Sequence, residues 1–428
     1  MRAVAVLCLA LSALPVAAQE FTTLKGHGGP VMALAVSPTG QVTSASFDNS
    51  LGLWTGQDPQ WLDGHAAAVT ALTWGSGGVL LSGGDDFAVR QWQPEQRVLG
   101  RHRGKVTSIA VSPDGSTAAS GSWDGSIRLW PLTEAGRAGE LPYPGAGVNA
   151  VAYSADGQHL YAATSKGVLL HYDLTMGGAP LPLVEHGFGI NRIELGSGWI
   201  AYGAVDGGTR VIDAMTGAQI ADFTLDRRPI LALDWHAQTA QLAVGDGHGY
   251  IMMVDTDDWK ITRDFRAMRH GPVWALAFSP DGQTIHAGGL DDVVYAWPVS
   301  LLDELDAPEG SGQRSFLRDP ETMSNGERQF MRKCSICHAL DAGPSRKAGP
   351  SLHGVFGRSA GTVPGYSYSD TLDGADIIWS ETTIDALFDE GPDHYIPGSK
   401  MPMQVIARPE DRADLIAFLK TATTGDAK

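Results

Sequence analysis

The sequence predicts a multidomain chain, an all-β propeller of repeated blades followed by a small all-α domain. Three observations carry this. Histidine, aspartate and tryptophan recur in register about every 40 residues through the first 300 residues. The pattern stops after Ser300, at a Pro-, Gly- and Ser-containing acidic stretch. Beyond it, two helix-like segments bracket "KCSICHAL", Lys333 to Leu340, where two cysteines one helical turn apart are followed directly by a histidine.

The chain starts with Met1-Arg2, an apolar run from Ala3 to Leu14, Pro15, and the small residues Val16-Ala17-Ala18. This reads as a secretory signal peptide over 1–18, cut near Ala18/Gln19, and predicts export to the periplasm. The run is too short to span a bilayer, and no later stretch is apolar enough to do so, so no membrane span is expected. The net charge of −17 divides into −14 over residues 19–320 (33 acidic, 19 basic) and −4 over 321–428 (15 acidic, 11 basic), with Arg2 supplying the balance. That charge disfavours nucleic acid and anionic lipid as partners and favours solubility.

In the repeats, Trp54, Trp92 and Trp130 are spaced 38 residues apart. Asp48, Asp86, Asp124 and Asp291 each stand six residues before a tryptophan, and His27, His65, His102 and His270 stand 21 or 22 residues before those aspartates. Turn signals of the SPDG kind begin at Ser37, Ser112, Ser154 and Ser279. A period near 40 with this content reads as four-stranded blades. These residues resemble the WD-repeat family over 20–302. Four full units and three worn ones, with Tyr172, Ile212 and Val254 at the tryptophan position, make seven, and the resemblance implies a seven-bladed propeller. It also implies that "EFTTL" pairs onto the last blade and closes the ring, and that each histidine bonds its turn aspartate and supports the tryptophan. The other histidines (His159, His171, His236, His248, His286) are scattered over the blades, with nothing to place them on one ring as metal ligands.

Residues 303–320 read as a semi-flexible linker. After it, Ser324 is a candidate N-cap, and Pro409 opens a last helix with Leu415, Ile416, Phe418 and Leu419 as its apolar stripe. Cys8 leaves with the signal, so Cys334 and Cys337 are the cysteines of the mature chain. Cys-x-x-Cys-His is the attachment motif of c-type haem. Each thiol adds to one vinyl group, and His338 reaches the iron.

With "CSICH", the segments "KAGPSLHGVFGRSAGTVPGYSYSDT" and "YIPGSKM" form an ordered set that resembles class I cytochromes c of the mitochondrial and bacterial c2 type, over residues 321–428. The resemblance implies one covalently bound haem c with His338 and Met401 as axial ligands. Met403 is a rival two residues away, but the family places the ligand directly after the lysine. It gives the Pro350 carbonyl the task of accepting from His338, and places Arg358, Tyr368 and Trp379 around the propionates, Trp379 having plain core packing as its alternative. Ser399 stands for a threonine beside the methionine loop, and Gly326, Phe330 and Phe418 for the contact between the first and last helices. The lysine-rich docking face of the mitochondrial proteins is absent. Gly391-Pro392-Asp393-His394 and the acids Asp385, Asp389 and Glu390 occupy that region.

A haem with both axial positions filled moves one electron and binds no substrate. An exported electron carrier is therefore expected rather than an enzyme, with a redox partner protein of unknown identity and the propeller as docking platform. The alternatives are a redox enzyme with a catalytic propeller and a haem-based redox-sensing or assembly factor. Phe47, Trp123, Leu290, Met32 and Trp274 are large apolar residues expected near one propeller face, either as a patch for a protein partner or packed into the channel.

Overall fold

The computed structural model describes residues 21–142, 145–177, 180–224, 229–268, 270–302, 322–343 and 345–424. The expected signal peptide (1–18) and linker (303–320) lie outside the described residues. Residues 22–298 form seven four-stranded antiparallel sheets. In six of them the four strands are consecutive. In the seventh, the first strand of the chain, β1 (Thr22–Lys25), is the outer neighbour of Val293–Pro298, pairing Thr22 with Ala296 and Lys25 with Val293. The ring is thus closed by its own N-terminal strand, as expected, and no blade is left with an open edge at the seam.

Local sequence explains how the blades nest. The second residue of an inner strand reaches to the next blade. Thr70 Oγ1 donates to the Val106 carbonyl (2.6 Å), Thr107 Oγ1 to Val148 (2.6 Å), Asn149 Nδ2 to Ile190 (2.9 Å) and Asn191 Nδ2 to Ile230 (2.9 Å). The neighbouring strand supplies a glycine where a branched side chain of the next blade enters. A Cβ at Gly83 would lie 2.4 Å from Val106, and one at Gly288 would lie 2.5 Å from Val31 across the closure.

Two blades carry the expected lock in full. In the first, His27 Nδ1 lies 2.9 Å from Asp48 and Nε2 lies 2.7 Å from Ser44 Oγ, which also accepts from Trp54 Nε1 (2.8 Å). Blade two repeats this with His65, Asp86, Ser82 and Trp92. Blade three keeps the half formed by His102, Ser120 and Trp130, but His102 Nδ1 lies 2.8 Å from Ser126 Oγ and 3.6 Å from Asp124. Burial alone would raise Asp48. The bond and charge of His27, with donors from Ser50 and Gly28, bring it below the ordinary carboxylate range.

Blade seven departs from the expectation. His270 is exposed and Asp291 accepts from Tyr295 OH instead (2.7 Å). The serine position is Ala287, and Trp297 Nε1 is buried with no hydrogen-bond partner among the described residues. Conversely, the worn fifth blade holds a pair that its sequence hid: His186 Nε2 lies 3.1 Å from Asp206. Tyr172, Ile212 and Val254 fill the tryptophan positions as fully buried apolar packing.

The C-terminal unit is helical: α1 (Asn325–Lys333), α2 (Glu381–Glu390), a single turn α3 (Pro392–Tyr395) and α4 (Pro409–Ala422). Ser324 caps α1 by accepting from the Glu327 N–H, Ser380 and Thr383 form a capping box on α2, and Pro409 opens α4. The α1–α4 crossing is set by Gly326, where a Cβ would sit 2.0 Å from the Asp414 carbonyl oxygen. The Phe330 and Phe418 rings meet beside it at 5.6 Å. Leu387, Leu415, Ile416 and Leu419 complete the core.

Candidate functional site

Helix α1 ends at Lys333, and the chain continues through one more turn. The N–H groups of Cys337 and His338 both donate to the Cys334 carbonyl, at 3.0 and 2.9 Å. That turn brings Cys334, Cys337 and His338 to the wall of one cavity of about 330 Å³. Cys334 is 4% exposed, and burial, reinforced by neighbouring Cys337, pushes its thiol up to about 12. Burial raises Cys337 as well. The opposite holds for His338: burial depresses it, with the Pro350 bond opposing, so its imidazole stays neutral. Its Nδ1 donates to the Pro350 carbonyl at 2.7 Å, which leaves Nε2 as the lone-pair nitrogen. Gly349 makes room for the ring, since a Cβ there would lie 2.5 Å from His338 Cε1.

Met401 lines the same cavity, and its N–H is held by Ser399 Oγ at 3.0 Å. Met403 does not line it and is 64% exposed. Arg358, Tyr368 and Trp379 are also on the wall. The Arg358 guanidinium donates to the carbonyls of His353 (2.7 Å) and Ser351 (2.9 Å), and Tyr368 OH accepts from the Val363 N–H (3.2 Å). The remaining wall is largely apolar, including Leu352, Val355, Phe388 and Ile396. Two thiols, one neutral imidazole and one thioether in a single apolar cavity are the donor set for a thioether-linked haem.

Three features were not legible in the sequence. Tyr366 OH donates to the Ala348 carbonyl (2.9 Å) and stacks edge-on against Tyr368, which ties this segment to the chain just before Gly349. The acidic surface before "YIPG" is partly neutralised, because buried Arg412 pairs with Asp385 (2.8 Å) and Asp389 (2.9 Å). The third is that propeller residues line the cavity too: Phe47, Asn49, Ala66, Ala67, Ala68 and Asp85.

The large apolar residues of the propeller face are therefore not one patch. Met32 and Trp274 line the central channel, a cavity of about 340 Å³. Phe47 faces the helical unit, and Leu290 packs where Gly271 turns. Trp123 is 56% exposed beneath the Lys105 ammonium, 3.3 Å from its ring centroid. The channel also holds Arg192, Glu194 and Asp234. Burial raises both acids, Asp234 to about 7, and Asp234 adds to the rise at Glu194. Four of the scattered histidines have local side-chain partners: His159 and His171 lie 3.0 Å apart, His236 contacts Thr239 and the Pro280 carbonyl, and His286 donates to the Ala277 carbonyl.

Comparison with known proteins agrees with both units. The family described as WD domain, G-beta repeat matches residues 18–55, 56–93, 94–131 and 260–298, which are the blades with the full pattern. The Cytochrome c family matches residues 323–423. The chain is 48% identical over 105 residues to a cytochrome c of Sesamum indicum, covering 24% of this chain and 93% of that protein. It is 46% identical to the cytochrome c of Gossypium barbadense over 105 residues (24% and 93%) and 46% identical to that of Arabidopsis thaliana over 98 (23% and 87%). A domain of this kind carries a covalently bound haem c and moves electrons with it. The chain belongs to the cytochrome c family through its C-terminal helical unit, which follows a seven-bladed propeller of WD repeats.

Proposed function

We propose that this protein is an exported, periplasmic electron carrier with His338 and Met401 as axial ligands and the propeller as a platform for protein docking. The observation that carries the reading is the shared cavity: it gathers Cys334, Cys337, His338 and Met401 and leaves Met403 outside. Bound haem c supplies a one-electron couple. The chain's residues set its conditions. Cys334 and Cys337 hold it covalently, so it stays with an exported protein. Pro350 fixes the tautomer that presents Nε2. Ser399 holds the backbone of Met401, whose thioether favours the reduced metal and raises the potential. The apolar wall excludes water. Propellers of WD repeats are protein-binding surfaces, which supports a docking role, and the acidic surface disfavours nucleic acid. An electron carrier needs no substrate site, so catalysis is not assigned.

The test uses the purified holoprotein. Met401→Ala should lower the potential and raise the affinity for added small ligands, while Met403→Ala does neither; the reverse pattern moves the ligand to Met403. Cys334→Ala or Cys337→Ala should leave one thioether at most. Export is checked by mass spectrometry of the periplasmic fraction, where a mature chain beginning at Gln19 is expected. A cytoplasmic, uncleaved chain refutes that part.

A further inference from the structure

Among the described residues, one contact between the two units centres on an arginine. Arg346, in the loop between His338 and Gly349, forms an ion pair with Asp63 in the outer strand of blade one. Its guanidinium lies 4.2 Å from the ring centroid of Trp61. Trp61 is itself braced edge-on by His27 (4.9 Å) and Trp54 (5.8 Å), so the arginine rests on part of the blade's own lock. Just beyond, the backbone of the loop passes so close to Gly28 that a Cβ there would lie 2.1 Å from the Arg346 carbonyl oxygen.

Gly28 is informative because the blade does not require it. The residue after the lock histidine donates its N–H to the turn aspartate in blades one, two and three: Gly28 to Asp48 (2.8 Å), Ala66 to Asp86 (3.0 Å) and Arg103 to Asp124 (2.7 Å). Alanine and arginine serve that position in its neighbours, and the three atoms nearest a Gly28 Cβ all belong to the Arg346–Lys347 backbone. The glycine therefore matches the contact with the helical unit. Behind this contact, Phe47, Ala67, Ala68 and Asp85 from the rim of blades one and two line the same cavity as Cys334, His338 and Met401.

We propose that the rim of blades one and two is a built-in cover for the haem crevice, latched by Arg346 on Asp63 and Trp61, so that a redox partner reaches the haem edge by displacing it. This rests on the electron-carrier reading and specifies how the same site is regulated. The latch is weak by design. Its ion pair is half exposed and contributes little alone, and salt screens it. The two units share one chain, and that raised effective concentration keeps a weak contact occupied. The cover thus closes without a partner and yields to one that binds the haem face more tightly.

The test compares the full-length holoprotein with Gly28→Arg and Arg346→Ala, reading the stopped-flow rate of oxidation of the reduced protein by ferricyanide. Gly28→Arg places in blade one the residue that blade three already carries, and Arg346→Ala removes the latch from the other side. The two changes alter local charge in opposite senses, whereas opening the cover should accelerate both by roughly fivefold, equivalent to about 1 kcal/mol of lost contact. Small-angle scattering should show a larger radius of gyration for each variant than for the wild type. Equal rates and equal dimensions in all three proteins would overturn the cover. So would rates that move in opposite directions with the added and removed charge. A holoprotein that cannot be cycled between two redox states would instead refute the carrier reading itself.

Discussion

Gly349→Ala perturbs the site through one methyl group. The new Cβ would lie 2.5 Å from His338 Cε1, 2.8 Å from Nδ1 and 2.9 Å from Nε2, where an ordinary contact needs 3.4 Å or more. The backbone cannot retreat easily. The Gly349 N–H is bonded to the Cys337 carbonyl at 2.7 Å, the Ala348 carbonyl accepts from Tyr366, and Pro350 follows with its fixed torsion. The imidazole must therefore move, by roughly 1 Å. Its Nδ1 bond to the Pro350 carbonyl, now 2.7 Å, would stretch beyond hydrogen-bonding range. Losing one such bond costs about 1 kcal/mol, a factor of about five in an equilibrium. The reduction potential of the holoprotein should rise by up to about 40 mV, the one-electron equivalent of that factor of five, because an imidazole that loses its carbonyl acceptor donates less to the metal. Covalent haem content should be unchanged, because neither cysteine is touched. An unchanged potential would mean that Gly349 and Pro350 do not orient His338.

Other consequences concern stability. Ser44→Ala leaves the buried Trp54 indole and His27 Nε2 without their shared partner and should cost about 2–3 kcal/mol in denaturant unfolding, while Ala287→Ser should stabilise by up to about 1 kcal/mol by giving Trp297 Nε1 an acceptor. If the two changes have equal small effects, the serine is not the keystone of the lock. Burial lowers His102 to about 4, opposed by Asp124, so between pH 6.5 and 4 the unfolded chain takes up a proton that the folded one refuses. Stability should therefore fall as pH drops through that window, by at most about 3 kcal/mol from this residue, and His102→Gln should flatten the profile there; a slope of the opposite sign contradicts the assignment. Gly326→Ala sets a methyl 2.0 Å from the Asp414 carbonyl and should destabilise the helical unit by about 2–3 kcal/mol, seen as a lower unfolding midpoint in circular dichroism of the helical signal.

What the sequence determined was everything encoded by local spacing. The blade count, the Ser324 cap and the Cys334–Cys337–His338 turn depend on short segments or on one repeated register, whereas the ring closure by Thr22–Lys25 and the Pro350 bond were implied only by the resemblance to known families. Tertiary structure decided what depends on several strands meeting at once. His270 has the right spacing, yet its lock fails because Ala287 offers no hydroxyl and Tyr295 takes Asp291. His186 and Asp206 pair although their blade lacks the tryptophan that would have advertised them. Arg412 neutralises two acids that read as an exposed negative face. The contact of Arg346 with Gly28, Trp61 and Asp63 has no sequence signature at all. Its partners lie in separate folded units, and a pairing between two finished surfaces follows from their shapes and charges rather than from any period along the chain.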